Sequence, residues 1–323
     1  MRMVFRVAWY AAFALAGAVI PGPATYAATG LVVGKAAVNS DTVIAANVGA
    51  EAGIFRKHGL DVKIVDFTGG SKMVQAMTAG SLDIGVGSGT QMAFIAKGAP
   101  MKAVCESART LPFIAIGLPW NSPIKSLAEL KSKKIGISSA GSLTDWLARE
   151  LVRHEGWGPN DITEVAIGNA SAGIIAAFHD NLVDADIGDT SLFLTLEQRK
   201  IGKLLEPVSD YVGPIASGAL FASDKLIAGN PGALRSFLAA WVETLHFIRT
   251  DKPETVRIES KVTGFPADVM AKDYDLTVGM FTKDCRFDAE SLANLKRSFV
   301  DLKLLAKPPQ NMASLYTEAY LPK

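Results

Sequence analysis

The chain has 323 residues, 49% of them hydrophobic, and a formal charge of +1. That content excludes a disordered chain, and the length is long for one core but comfortable for two lobes. The near-neutral balance excludes a nucleic acid or an anionic membrane as a partner held by bulk electrostatics.

The N-terminus carries the basic residues Arg2 and Arg6, an apolar segment from Val7 to Ile20, the breakers Pro21, Gly22 and Pro23, and small residues at Thr25 and Ala27. This is the order of a secretory signal peptide, and the apolar part falls short of the roughly twenty residues of a membrane span. Residues 1–27 are therefore expected to be a signal, cleaved after Ala27, which leaves a soluble mature protein. An uncleaved N-terminal anchor is the competing reading. Two cysteines, Cys105 and Cys285, are too few for a disulfide scaffold. An oxidising compartment permits a bridge between them, but two buried free thiols are the favoured expectation.

Beyond the signal, strand and helix patterns alternate. Residues 30–38 read as a buried strand and 41–59 as one helix ended by Gly59, with Arg56, Lys57 and His58 at its carbonyl end. Period-two alternation marks a strand at 60–67, followed by a helix at 70–80, a strand at 82–86, a helix at 90–98 and a strand at 101–107. Strands joined by short helices imply parallel βαβ units with right-handed crossovers.

Pro112, Pro119 and Pro123 flank an apolar strand from Phe113 to Leu118. Ser126 and Glu129 have the spacing of a capping box on a short helix, before a strand that ends near 139. Residues 141–157 form an amphipathic helix with Leu143, Trp146, Leu147 and Leu151 on one face and Asp145–Arg149 as an i,i+4 pair. Strands at 162–168 and 184–189 enclose a helix at 171–181, and this second α/β block ends near 213. Residues 213–223 read as a strand-like return crossing. The remainder is mostly helical, with apolar stripes at Leu234, Phe237, Leu238, Trp241, Leu245 and Ile248, and at Leu292, Leu295, Phe299 and Leu302.

An internal echo links 79–91, AGSLDIGVGSGTQ, to 181–193, NLVDADIGDTSLF. Each follows a helix and carries Asp-Ile-Gly, a small polar loop and an apolar helix start. In open α/β sheets ligands sit beyond the carboxyl ends of strands, where both loops fall. Small residues let a ligand approach the main chain, and the first N–H groups of the next helix suit an oxyanion. The same chemistry recurs at 38–42, 67–72 and 138–145. Each loop alone reads more simply as a helix cap, but the loop at 87–90 and these three make four in one chain, which favours binding by some of them.

Two segments carry a family resemblance: 51–91, with its G-x-F-x-x-x-G-L-x-V, G-G and A-G-x-x-D-x-G elements, and SPIKSLAELKSKKI at 122–135. The chain resembles the periplasmic substrate-binding proteins of ABC importers, in the alkanesulfonate/nitrate/taurine group, also called thiamine-precursor-binding-like. Glu129 and Ser132 depart from the usual Asp and Gly of the second segment. The resemblance implies an α/β, type II-like, two-lobe periplasmic binding protein fold with two crossing segments, near 110–118 and 211–218. It assigns 28–112 and 214–323 to lobe I with the C-terminal helices, and 113–213 to lobe II.

By position, the ligand-binding candidates are Asn39, Ser40, Asp41, Thr42, Gly70, Ser88, Gly89, Thr90, Arg109, Ser139, Gly141, Ser142, Thr144, Asp189 and Thr190. The implied role is capture of a sulfonate-, nitrate- or taurine-like anion or zwitterion, or of a neutral heterocycle such as a thiamine pyrimidine precursor. The carrier would be a periplasmic monomer that delivers the solute to an ABC permease, without cofactor, metal or catalysis. Cations are sparse in these loops, with Arg109 first and Lys72 next. Asp41 and Asp145 fit the first turns of their helices, whereas Asp189 could meet an amine or amide. Phe113, Trp146 and Phe193 are candidates for stacking or for core.

An enzyme of the pyrimidine-precursor-synthase type is the rival class. No cysteine cluster, catalytic triad order, metal-ligand spacing or nucleotide fingerprint stands out. A sensory binding protein is the other rival, with the same cleft physics.

Overall fold

The computed structural model describes residues 28–323, so the expected signal segment lies outside the described residues. The first block runs β1 (Thr29–Lys35), α1 (Asp41–Glu51), α2 (Ile54–Lys57), β2 (Leu60–Asp66), α3 (Gly70–Thr78), β3 (Ile84–Gly87), α4 (Met92–Ala96) and β4 (Met101–Ala108). The second runs β5 (Ile114–Pro119), β6 (Lys134–Ile137), α5 (Leu143–His154), β7 (Thr163–Ala166), α6 (Ser171–His179), β8 (Ala185–Asp189), α7 (Thr190–Gln198) and β9 (Gly202–Pro207). The chain then returns through β10 (Gly218–Ser223) to α8 (Asp224–Gly229), α9 (Pro231–Thr250), α10 (Lys252–Thr263), α11 (Ala267–Thr277) and α12 (Ala289–Asp301).

These strands form two five-stranded sheets, ordered β2-β1-β3-β10-β4 and β7-β6-β8-β5-β9. In each, the first three strands are parallel and the fourth runs antiparallel to both neighbours. That antiparallel strand comes directly after a crossing: β5 follows the passage out of the first sheet, and β10 follows the passage back. The two sheets therefore share one topology, and the α/β two-lobe periplasmic binding protein fold is the fold of this chain. The passages lie at 109–113 and 208–217; the apolar run from Ile114 on is itself a strand of the second sheet.

Several local features differ from the sequence pattern. The expected helix over 41–59 divides into α1 and α2, because Gly53 takes a left-handed φ of 73°. Ser126 and Glu129 hydrogen-bond each other at 3.3 Å, but they open a single 3-10 turn over Leu127–Leu130 rather than a helix. The half-buried edge strand β9 lacks a clean two-residue period and was not expected.

Cys105 and Cys285, expected as free thiols, are joined in a disulfide. It ties β4 to the segment before α12, beside the Ala108–Phe281 bridge and the Glu106 N–H to Cys285 carbonyl bond. Nothing in a separation of 180 residues advertises that closeness.

The apolar stripes read from the sequence are buried: Leu143, Trp146, Leu147 and Leu151 on α5, and Leu234, Phe237, Leu238, Trp241, Leu245 and Ile248 on α9. Phe193 on α7 lies flat over β5, and a Cβ on Gly117 would sit 2.1–2.4 Å from its ring carbons. Both elements are packed interior, where added volume forces strain. Gly117→Ala is thus expected to lower stability by about 1–3 kcal/mol, read as a lower denaturation midpoint. An unchanged midpoint would contradict the packing described.

Candidate functional site

A cavity lies between the two sheets and holds about 620 Å³ of space free of protein atoms, part of it open to solvent. Its walls come from both lobes at the carboxyl ends of strands. The loop after β1 supplies Ala36, Ala37 and Ser40, and α1 supplies Thr42 and Val43. Gly70, Gly87, Ser88 and Gln91 complete the first side. The second lobe supplies Ser138, Ser142, Leu143 and Thr144, then Gly168, Asn169 and Ile174, and finally Asp186, Ile187, Gly188 and Asp189. Phe113, Ile114 and Ser217, at the crossings, close the rear.

Of the candidates read from the sequence, Ser40, Thr42, Gly70, Ser88, Ser142, Thr144 and Asp189 line this cavity. The others lie around it with different duties. Asn39 donates across the interlobe gap to Ser171 Oγ at 3.3 Å, and Ser139 meets Ser71 at 2.9 Å in the same way. Thr90 is fully buried against Ser88 and Gln91, and Thr190 bonds the Pro112 and Phe113 carbonyls. Asp41 is buried just behind the wall.

Arg109, the leading cation of the sequence reading, does not line the cavity. Its Nε sits 3.3 Å from Glu106 Oε2 and its Nη2 donates to the Arg286 carbonyl at 2.6 Å. Glu106 is fully buried, so an arginine partner is what it requires. Lys72 bonds Thr68 on the surface. Among the described residues the cavity lining contains two carboxylates and no lysine, arginine or histidine.

The amide groups expected to be bare are in large part occupied. Ser88 N–H donates to Gln91 Oε1 at 2.7 Å, and Gly89 N–H to the Ala216 carbonyl at 2.7 Å. Ser138 N–H donates to Thr144 Oγ1 at 2.8 Å, and Gly141 N–H to Asp145 Oδ2 at 2.7 Å. Gly141 holds a φ of 76° and faces Leu304 and Phe94 rather than the cavity. Asp145 also pairs with Arg149 at 2.8 Å, so it is a first-turn structural group. Trp146 and Phe193 are core, and of the three aromatic candidates Phe113 is the one at the wall.

Asp186, which sequence reasoning missed, is the most informative wall residue. Matching hydrogen bonds align β3 with β8. Asp83 Oδ2 accepts Val32 N–H at 2.8 Å, and Asp184 Oδ2 accepts Lys134 N–H at 2.8 Å. Asp83 N–H and Asp184 N–H bond the carbonyls of those same residues. Gly34 pairs with Gly85, and Gly136 with Asp186. The structural equivalents are thus Asp83 with Asp184, Gly85 with Asp186, and Ser88 with Asp189. The sequence echo, which matched Asp83 to Asp186, is two residues out of register. The strand-anchoring duty belongs to Asp184, and Asp186 stands where the first lobe has glycine.

Room for the Asp186 carboxylate comes from two glycines. A Cβ on Gly136 would fall 2.5 Å from Oδ1, and one on Gly188 2.7 Å from Oδ2. Asp186 is 1% exposed, and its Oδ2 has no hydrogen-bond partner among the described residues. Asn169 Oδ1, also at the wall, has none either; its Nδ2 donates to the Ala36 carbonyl across the gap at 3.2 Å, which fixes the amide orientation. Asp189 occupies the N-cap of α7 but makes no side-chain cap bond.

Burial, reinforced by the Asp189 charge, pushes the Asp186 carboxyl well above the ordinary carboxylate range. Burial likewise raises Asp189 to about 6, moderated by the Ser40 hydroxyl. Behind the wall, burial and the neighbouring Asp273 raise Asp41, while burial and Asp41 raise Glu259.

On the far side of the gap, ion pairs join the lobes. Arg297 on α12 reaches Glu150 on α5 at 2.8 Å, and Arg153 on α5 reaches Asp301 on α12 at 2.8 Å. Trp146 Nε1 also donates to Asp301, at 3.4 Å.

Comparison with known proteins places this geometry in context. A family model described as NMT1/THI5 like matches residues 42–255. "Putative binding protein BAB2_1146" of Brucella abortus is 29% identical over 213 residues, 64% of this chain and 63% of that protein, so the match spans under two thirds of that relative. The Saccharomyces cerevisiae 4-amino-5-hydroxymethyl-2-methylpyrimidine phosphate synthase THI11 is 25% identical over 83% of this chain and 81% of its own. The alkanesulfonate-binding protein SsuA from Xanthomonas axonopodis pv. citri, solved bound to MOPS, superposes with a TM-score of 0.73 at 18% identity, covering 86% of this chain and 94% of that one.

A raised carboxylate makes folding proton-linked. Between its unfolded value of 3.8 and about 6, Asp189 holds more proton in the folded than in the unfolded state, so stability falls as pH rises through that window. The full penalty above it is on the order of 3 kcal/mol. Asp189→Asn should therefore melt several degrees above the parent at pH 7.5, with the gap closing at pH 4. A constant gap across that range would show that the carboxylate is not buried as described.

Proposed function

The chain belongs to the NMT1/THI5 like family, and from that membership we propose that it is an extracytoplasmic solute-binding protein of an ABC importer. It captures a small solute in the interlobe cavity and delivers it to a membrane permease, acting in the periplasm as a monomer after removal of residues 1–27. The observation that carries the reading is the cavity itself: equivalent strand ends of two like sheets converge on it, and both crossings form its rear wall. Hinge closure about two crossings is how such lobes enclose and release a ligand.

The lining refines the class of solute. A simple sulfonate or nitrate would look for cations or open amides, and Arg109 and the four amides above are engaged elsewhere. Phe113, Ile114, Ile174 and Ile187 offer apolar surface for an organic body. A zwitterion or a nitrogen heterocycle fits this lining better than an inorganic anion. The yeast relative's name, with its aminopyrimidine product, keeps such heterocycles in view.

Catalysis is the second reading, favoured by that same relative. Against it, the two cysteines are tied to each other, and His58, His154, His179 and His246 all lie outside the cavity lining. His58 pairs with Glu243 at 2.7 Å on the outer surface of the first lobe.

The reading is tested by thermal shift against alkanesulfonates, nitrate, taurine and aminopyrimidines. At least one should raise the melting temperature by mass action. Ala37→Trp, which fills the cavity from a half-buried loop position, should abolish that rise with little effect on the unliganded melt. A rise that survives Ala37→Trp would move the site elsewhere, and turnover of a stabilising solute by the pure protein would favour the enzyme.

A further inference from the structure

We infer that the solute captured here carries a protonated nitrogen, as an amine or amidine, and that this group sits against Asp186 and Asp189 with Asn169 Oδ1 as a third acceptor. The inference deepens the solute-carrier reading and rests on it.

Three observations converge. The first is position. Asp186 and Asp189 replace the Gly85 and Ser88 of the equivalent strand in the other lobe, while the strand-anchoring duty is held by Asp83 and Asp184. Neither carboxylate at the wall is needed to build its sheet.

The second observation is an imbalance of hydrogen-bonding groups. Asp186 Oδ2 and Asn169 Oδ1 are acceptors without a donor among the described residues. A buried polar atom left unpaired costs about 1–3 kcal/mol, and more when it is charged. The wall hydroxyls do not cure this. Ser138, Ser142 and Thr144 bond one another, Ser88 bonds Thr90 and Gln91, Ser217 donates to the Thr110 carbonyl, Ser40 acts on Asp189, and no hydroxyl, that of Thr42 included, reaches Asp186 Oδ2 or Asn169 Oδ1. What the cavity lacks is N–H donors, and a nitrogen cation supplies several at once.

The third observation is electrostatic. Asp186 faces Asp189, Asp189 in turn acts on Asp41 and Asp273 behind the wall, and Glu259 lies beyond them beside Asp41 and Asp273; all are acids. All five are buried, and no cation of the described residues lines the cavity. The buried Lys35 behind the first-lobe loop is engaged by Val38, Asn47 and Asp66, so an anion in the cavity would meet the two wall carboxylates with no cation lining it. A metal ion is disfavoured by the donor set, since the described residues gather no group of three metal-ligating side chains. The apolar wall and the solitary acceptors suit an organic cation instead.

Proton balance follows. Burial and the Asp189 charge push the Asp186 carboxyl upward, and a cation beside it favours the carboxylate, so a proton that Asp186 gives up on binding passes to the buffer. The ligand keeps its own proton and donates N–H bonds to the carboxylate that results.

A shape-matched set tests the charge: benzamidinium, benzamide and benzoate, with ethanesulfonate and taurine as further anionic and zwitterionic probes. Benzamidinium should give the largest rise in melting temperature, benzamide a smaller one, and benzoate and ethanesulfonate none. Calorimetry of benzamidinium binding in two buffers of different ionisation enthalpy should report proton release. Asp186→Asn, isosteric in its glycine cradle, should weaken benzamidinium at least tenfold and leave benzamide within about threefold. Asp189→Asn supplies the same comparison if the first variant folds poorly. Stabilisation by benzoate or ethanesulfonate instead, abolished by Ala37→Trp, would overturn the cation and leave the carrier standing. Stabilisation by none of the probes, nor by any solute of the earlier panel, would overturn both. Benzamidinium binding without proton release, unaffected by both variants, would also overturn the assignment.

Discussion

The constraint on which the rest depends is that each sheet is completed by a strand arriving from the other lobe. β5 is laid antiparallel between β8 and β9, and β10 between β3 and β4. Buried backbone groups need partners, so each sheet depends on the strand that a crossing delivers to it: β5 for the second and β10 for the first. The crossings therefore have fixed ends, and the two sheets face each other at a fixed place. Parallel strands put their carboxyl ends at that place, and the helices that follow turn their first residues toward it. The cavity results from topology before any side chain is chosen.

Side-chain choice then separates the two lobes. The first lobe presents glycine and serine at Gly85, Gly87 and Ser88, and the second presents Asp186, Gly188 and Asp189 at the matching positions. Gly188 serves Asp186 by leaving space beside Oδ2, as Gly136 does beside Oδ1. A carboxylate so placed lowers stability unless something compensates it. Its retention in the wall, without a role in the ladder, is what makes the second lobe the chemically distinctive half of the site.

Much of this was legible in the sequence. Alternating strand and helix patterns announced two α/β blocks, and the echo between 79–91 and 181–193 announced their likeness. Gly59, Gly80 and the apolar stripes of α5, α9 and α12 marked elements because local rules govern them. Seven of the candidate positions reached the cavity wall because they sit in loops after strands, which is a topological property. The remainder failed for long-range reasons. Whether Arg109 points inward depends on Glu106, Asp288 and Ser291, and the latter two are remote in sequence. Whether an amide is bare depends on whether a Gln91 or a Ala216 carbonyl reaches it. The disulfide depended on how the C-terminal segment folds back over β4. Asp186 was hidden by an apparent alignment that only the hydrogen bonds of Asp83 and Asp184 correct.

Charge and closure act on the same gap. The lobes meet through Asn39–Ser171, Ser71–Ser139 and Asn169–Ala36 on one side, and through Glu150–Arg297 and Arg153–Asp301 on the other. The hydrogen bonds are individually worth about 1 kcal/mol, and the half-exposed arginines are screened by solvent. Against them stands the cost of enclosing Asp186 and Asp189 with the acids behind them. These contributions oppose one another across the gap. A cation between the two carboxylates would change the sign of the electrostatic part and, with it, the balance. With the proposed cation bound, the ligand would do more than occupy a preformed hole: its charge would offset the cost of burying the two wall carboxylates.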